Sequence, residues 1–489
     1  MNSFELTSFV ISALILLAIV VSKLSFRFGI PTLLLFLILG MLAGSDGIGK
    51  IEFVDYSLAQ SLGVVALCYI LFAGGMETEW KQIKPILREG LFLSTVGVII
   101  TALTMSVFSY YFLGLDFIES LLLGSVVSST DAASVFSLLR TSGIGLRKKV
   151  QSILELESGS NDPLAVILTI TLIGLTFVST FNYIEILSFV FFQIVIGSVL
   201  GLLFAKVYIE FINRINLEYD GLYTVIFLAS GIFIYSTITL LKGNGFLGVY
   251  LAGLYLGNHA FIHKKSITRF MDGIGWLMQI VMFLSLGLLV FPSQLKEILI
   301  PGLLFSFFLI FIARPLGVFI SLALFPVTWR ERMFISWVGL RGAAPIILAT
   351  FPLTAGVENS SLIFNLVFFT VLTSLLIQGS SLKFMAKLFH VNEPLVRKTI
   401  YPFEFINREN SDAKLEEFII PFGSPVEGMS IRELQMPEDA LITIICRGEN
   451  YISPSGQTRI EGGDVLLILV NGQNMKEVTA CLQGKTQEV

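Results

Sequence analysis

Apolar runs, most of them about 20 residues and long enough to span a bilayer as a helix, recur along the first 390 or so residues. They predict about 13 transmembrane helices, near 5–22, 29–44, 57–76, 89–113, 118–140, 149–177, 184–211, 220–241, 244–257, 273–292, 299–325, 331–351 and 361–389. Hydropathy collapses after Phe389, and from about 403 short alternating segments are separated by turn residues. Strands are expected at Glu416–Ile420, Leu441–Arg447 and Asp464–Val470, and a helix at Asn474–Leu482. The pattern divides the chain into an all-α polytopic membrane domain, 1–392, and a small cytoplasmic α+β domain, 403–489.

Carboxylates interrupt two of the apolar runs near their centres, at Ser129-Thr130-Asp131 in the fifth and at Glu157-Ser158-Gly159-Ser160-Asn161-Asp162-Pro163 in the sixth. A charge at the middle of a membrane costs at least ~2.5–3.5 kcal/mol, so it lines an ion path or has a partner. Either acid alone is compatible with a structural ion pair or a helix kink; two at one depth point to a cation site. The helical period places Ser158 with Asp162 on one stripe and Glu157 with Asn161 on another, so that one can face an ion and the other can be structural. Pro163 has no N–H to donate, which predicts loosened backbone around Asp162 with carbonyls free to act as ligands. The run Ser128-Ser129-Thr130-Asp131 competes for backbone hydrogen bonds and predicts an unwound stretch, a hard-oxygen environment suited to Na⁺ or K⁺. All three histidines (His259, His263, His390) lie outside span centres. A histidine relay is therefore not expected, and Asp162 and Asp131 must carry the proton as well as the cation.

Two arginines also sit in apolar runs, Arg314 in the eleventh and Arg341 in the twelfth. Each needs a carboxylate or carbonyl partner. Glu157 is the candidate for Arg314. For Arg341, the setting Gly339-Leu340-Arg341-Gly342-Ala343-Ala344-Pro345 suggests a second broken helix, with the cation facing a helix C-terminal end. The two broken regions are seven spans apart, an odd offset that inverts orientation. Spans 1–6 and 8–13 can therefore be inverted repeats with broken crossing helices and a transport site at midplane.

Composition agrees with a membrane protein: 54% of residues are hydrophobic, 14% are charged, and the mean hydropathy is +0.83. Basic residues are placed unevenly. Alternate connections hold twenty Lys and Arg on one side and only Lys50, Lys242 and Lys296 on the other, which predicts an external N-terminus and a cytoplasmic C-terminus. The start of the chain lacks a basic segment before its first apolar run, so that run is expected to be a retained helix. Cys68, Cys446 and Cys481 are too scattered for a disulfide or a thiolate metal site. No basic run suggests nucleic acid, and the tail has no catalytic set, so an enzyme is not expected.

Taken together, Thr130-Asp131-Ala132-Ala133-Ser134, Glu157-Ser158-Gly159-Ser160-Asn161-Asp162-Pro163, Ala313-Arg314-Pro315-Leu316-Gly317-Val318 and Gly339-Leu340-Arg341-Gly342-Ala343 resemble the motifs of cation–proton antiporters of the sodium/proton exchanger type. The likeness covers about 5–389, and the tail is similar to the C-terminal half of regulator-of-potassium-conductance domains. The resemblance implies a homodimer in the bacterial inner membrane, surrounded by lipid, exchanging one monovalent cation for one proton without a resident cofactor. Asp162 would carry proton and ion, Asp131, Thr130 and Ser158 would be ligands to K⁺ or Na⁺, and Asn161 would orient the site. Glu157 and Arg314 would form a structural pair. Many relatives carry an acid where this chain has Ala73, in Phe72-Ala73-Gly74-Gly75-Met76, and with the potassium-type tail this tilts the expectation towards K⁺. The tail implies regulation, with a nucleotide such as a cyclic dinucleotide as a candidate effector. The competing readings are a cation channel, which would need a carbonyl filter loop, and a tail-gated ion-conducting or sensing protein.

Overall fold

A computed structural model describes residues 3–28, 31–53, 55–177, 182–215, 217–394, 413–421, 423–437, 439–447, 450–471 and 474–482. The chain forms two compact units, Met1–Lys398 and Thr399–Val489.

Helices dominate the first unit. They are α1 (Ser3–Phe28), α2 (Thr32–Ala43), α3 (Tyr56–Glu77), α4 (Trp80–Leu113), α5 (Phe117–Val126), α6 (Ala132–Thr141), α7 (Lys148–Thr176) and α8 (Tyr183–Arg214). They continue as α9 (Gly221–Leu240), α10 (Gly245–Asn258), α11 (Lys264–Leu288), α12 (Pro292–Glu297), α13 (Leu299–Ser321), α14 (Trp329–Trp337), α15 (Ala343–Ala355) and α16 (Ser360–Leu388). Among the described residues eight helices are long and apolar enough to cross a membrane, and four shorter apolar helices accompany them. Expected as one span at 273–292, α11 begins instead at Lys264, because the charged residues Lys264, Lys265, Arg269 and Asp272 ride on the end of an amphipathic helix.

The fifth and twelfth spans are each two half-helices, α5 with α6 and α14 with α15, interrupted at 127–131 and 338–342. Local chemistry explains the first interruption. Ser128 turns its hydroxyl back to the Ser125 carbonyl at 2.6 Å, and Asp131 restarts the helix as its N-cap. The sixth span differs from expectation. Helix α7 runs unbroken through Pro163, so the backbone there is not unwound. Proline removes one hydrogen bond, to the Gly159 carbonyl, but packing on buried Ala165, Val166 and Ile167 keeps the helix intact.

Asn392-Glu393-Pro394 is a strand (β2, Asn392–Pro394) paired antiparallel with β1 (Ile144–Leu146). Arg147 N–H extends the ribbon by donating to the Val391 carbonyl at 3.0 Å. The exit from the last helix is thereby fastened to the connection between α6 and α7.

In the second unit β3 (Ala413–Ile419), β4 (Leu441–Arg447), β5 (Asn450–Ile452) and β6 (Val465–Asn471) form an antiparallel sheet of order β3-β6-β4-β5. Helix α17 (Met475–Leu482) closes its core through Val478 and Leu482, against Ile442, Ile445, Leu466 and Ile468. Strand β5 was not expected, being only three residues without a visible alternation. Fully buried Asp464 receives Arg447 through two bonds of 2.9 and 2.8 Å, and this carboxylate holds the guanidinium pKa above its ordinary value. Cys68 and Cys481 are free thiols.

Candidate functional site

The two interruptions meet. Asp131 N–H donates to the Leu340 carbonyl at 2.8 Å, and Arg341 Nη1 donates to the Ser129 carbonyl at 2.6 Å. Each bond satisfies backbone that the break leaves without a helical partner, at a depth where water is scarce. The Arg341 guanidinium thus faces the carbonyl end of α5, where the helix dipole is negative. Gly342 permits this approach, since a Cβ there would fall 2.7 Å from the Asp131 Cβ. The second break is tied to α16, where Ser374 Oγ accepts from Arg341 N–H at 3.1 Å and donates to Gln378 at 2.6 Å. Gln378 in turn donates to the Trp337 carbonyl at 2.7 Å.

Helix α7 lies against this crossing. Ser129 donates its hydroxyl to Asp162, and Asp131 and Arg341 are electrostatic neighbours of the same carboxylate. Ser158 Oγ donates to the Thr130 carbonyl at 3.1 Å and accepts from Ala132 N–H at 3.0 Å. Asn161 Nδ2 donates to Thr130 Oγ1 at 2.6 Å, while its Oδ1 has no protein partner among the described residues. Asn161 therefore reaches the break as well, although helical spacing placed it on the other stripe. Asp131 caps α6: its carboxylate accepts the Ser134 N–H at 3.1 Å and the Ser134 hydroxyl. Asp162, Thr130, Ser158 and Asn161 are all buried except for partial exposure of Ser158.

A turn away, Arg314 clamps Glu157 with both terminal nitrogens, the Nη2–Oε2 bond being 2.9 Å, and also donates to the Ile335 carbonyl at 3.3 Å. Both side chains are almost completely buried, with exposures of 3% and 1%. A π-helical turn at Leu309–Ala313 precedes Arg314 and Gly339 makes room for its stem. This pair neutralises itself. Asp162, Asp131 and Arg341 remain, a local sum of one negative charge that a single monovalent cation or a single proton balances.

Sequence reasoning singled out the acids, Thr130, Ser158, Asn161 and the two arginines, and the structure brings all of them together around one crossing. It missed Ser129 as the Asp162 partner, and it missed Ser374 and Gln378 altogether. Ser129 was signalled by its place in the unwound run. Nothing in the sequence distinguishes Ser374 and Gln378 from other polar residues of a long helix.

Residues 10–388 match the family of sodium/hydrogen exchangers, transmembrane, and residues 415–482 match the TrkA-C domain. The chain is 41% identical to the K(+)/H(+) antiporter NhaP2 of Shewanella baltica, over 98% of this chain and 82% of that protein. It is 38% identical to the K(+)/H(+) antiporter NhaP of Alkalimonas amylolytica, covering 99% and 84% respectively. Among solved structures, the sodium proton antiporter MjNhaP1 of Methanocaldococcus jannaschii at pH 8 superposes with a TM-score of 0.69 at 25% identity, covering 78% of this chain and 98% of that one.

Proposed function

Because the chain belongs to the sodium/hydrogen exchanger family, with a TrkA-C domain at its C-terminal end, we propose that its cation and its proton compete for one carboxylate, that of Asp162. The protein is a multi-pass membrane cation–proton antiporter. Bound cation lowers the affinity of a carboxylate for its proton, and protonation removes the charge that holds the cation. Either species alone neutralises the site, which allows the core to change its side of access; an empty, charged site opposes the change.

The observation that carries this reading is the placing of Asp162 beside the crossed breaks, with Ser129, Thr130 and Ser158 supplying hydroxyl and carbonyl oxygens. Asp131 adds charge as a further ligand while capping α6, and Asn161 holds the Thr130 hydroxyl in place. Glu157 with Arg314, and Arg341 with the Ser129 carbonyl, support the site without carrying the ion.

Potassium is the cation favoured by the named relatives at 38–41% identity and by Ala73, which withdraws a third carboxylate. Assembly as a homodimer in the inner membrane, with the N-terminus outside and the C-terminus cytoplasmic, is the arrangement that the family and the uneven basic residues support. The tail has no catalytic set and acts as a regulator, with a nucleotide as its candidate effector. The β1–β2 ribbon supports such a route, because the segment leading to the tail is hydrogen-bonded to the connection between the helices bearing Asp131 and Asp162.

Proton flux across proteoliposomes containing the purified protein tests the reading. Added K⁺ should dissipate an imposed pH gradient at lower concentrations than Na⁺ does. A preference for Na⁺ would refute the assignment of the ion, and no response to either would refute exchange at this site.

A further inference from the structure

Tyr250 on α10 is 2% exposed, yet its hydroxyl has no hydrogen-bond partner among the described residues. A buried hydroxyl without a partner is unfavourable, and its persistence calls for a ligand. Its position is specific. The far edge of the ring lies over Gly159 of α7, where a Cβ would come within 2.5 Å of Tyr250 Oη. Only glycine leaves that space. Gly159 is three residues before Asp162 and four after Glu155, so the hydroxyl lies between these two acids along one face of the helix. Glu155 is an electrostatic neighbour of Tyr250 and accepts from Gln151 at 2.8 Å. The nearby Thr78 hydroxyl donates to the Gly74 carbonyl at 2.7 Å, and its oxygen makes no hydrogen bond of good geometry with Tyr250 Oη.

Beyond Glu155, towards the side that carries Arg140, the carboxyl groups of Glu77 and Asp272 lie within hydrogen-bond reach of each other, with Glu155 and Arg140 as electrostatic neighbours. Carboxylates from α3, α7 and α11 thus gather in one cluster, and along α7 the Tyr250 hydroxyl stands between Glu155 of that cluster and Asp162. A hydroxyl oxygen is a suitable ligand for a cation that is exchanging water for protein oxygens.

We propose that Tyr250 is a ligand of the transported monovalent cation at a staging position between the acidic cluster (Glu77, Asp272, Glu155) and Asp162. The cation leaves part of its hydration shell there and accepts the Tyr250 hydroxyl in exchange, before reaching the Thr130 and Ser158 oxygens. The inference rests on the proposed site at Asp162. Gly159 is required because any side chain would push the ring, and with it the hydroxyl, out of the path.

Tyr250→Phe removes the hydroxyl and keeps the ring. In proteoliposomes, the K⁺ concentration for half-maximal exchange should rise about tenfold, the loss expected for one oxygen on a charged ligand. The ratio between K⁺ and Na⁺ half-saturation values should change as well, while the detergent melting temperature stays that of the parent. Unchanged half-saturation for both ions overturns the proposal, as does a loss of transport that follows a fall in melting temperature. Parent protein in the same vesicles separates the two readings. If it exchanges normally while Tyr250→Phe is indistinguishable from it, only the staging position fails; if it does not exchange K⁺ or Na⁺ for protons, the site itself does.

Discussion

Asp131 accepts the backbone N–H of Ser134 at 3.1 Å and its hydroxyl as well, so the carboxylate that contributes charge to the site is also the N-cap of α6. The two roles can be separated by substitution. Asparagine caps helices about as well as aspartate does, whereas alanine gives up roughly 0.5–2 kcal/mol of helix stability. Asp131→Asn should therefore melt near the parent temperature while its half-saturation for cation rises several-fold. Asp131→Ala should show the same transport defect with a lower melting temperature. Parental half-saturation in Asp131→Asn would remove this residue from the ligand set.

Glu157 and Arg314 form the most deeply buried ion pair of the membrane unit among the described residues, and removing one member strands the other in a setting without water. Such a loss typically costs about 3–5 kcal/mol. Glu157→Gln and Arg314→Ala should each lower the melting temperature in detergent sharply. Combining Glu157→Gln with Arg314→Met should be milder than the sum, because no charge is then left unpaired. Parental melting of both single variants would show that the pair does not stabilise the protein.

These acids and arginines were legible in the sequence because a charge inside an apolar run is costly enough to demand an explanation. Burial and charge could not, however, say which hydroxyl faces Asp162 or that Ser374 and Gln378 brace the second break. Serine and glutamine fit a helix without disturbing its apolar pattern. Pro163 was misleading for a related reason: the bond it removes is local, and packing along a 29-residue helix outweighs it. The β1–β2 ribbon escaped because three-residue strands carry no readable alternation, and only the folded chain brings residues 144–146 beside 392–394. In the tail, the longer strands were legible from their alternation, with ends displaced by a few residues.

Truncation after Lys398 removes the second unit but keeps β2 and its pairing with β1. An effector that binds the tail shifts transport only through different affinities for the states of the core. The truncated protein should still exchange cations and keep the oligomeric state of the full chain, with a pH profile or nucleotide response that differs from the full chain in parallel flux assays. Identical profiles and responses would reduce the tail to a stabilising appendage.

The most direct test of the account is Asp162→Asn, which keeps the side-chain volume and a polar partner for Ser129 while removing the group that titrates. Reconstituted into proteoliposomes at the same density as the parent, the variant should be folded, judged by its elution as a single species in detergent. Neither K⁺ nor Na⁺ should then release an imposed pH gradient above the rate of empty vesicles. Cation-driven proton movement at a substantial fraction of the parent rate would contradict the claim that one carboxylate carries both ions.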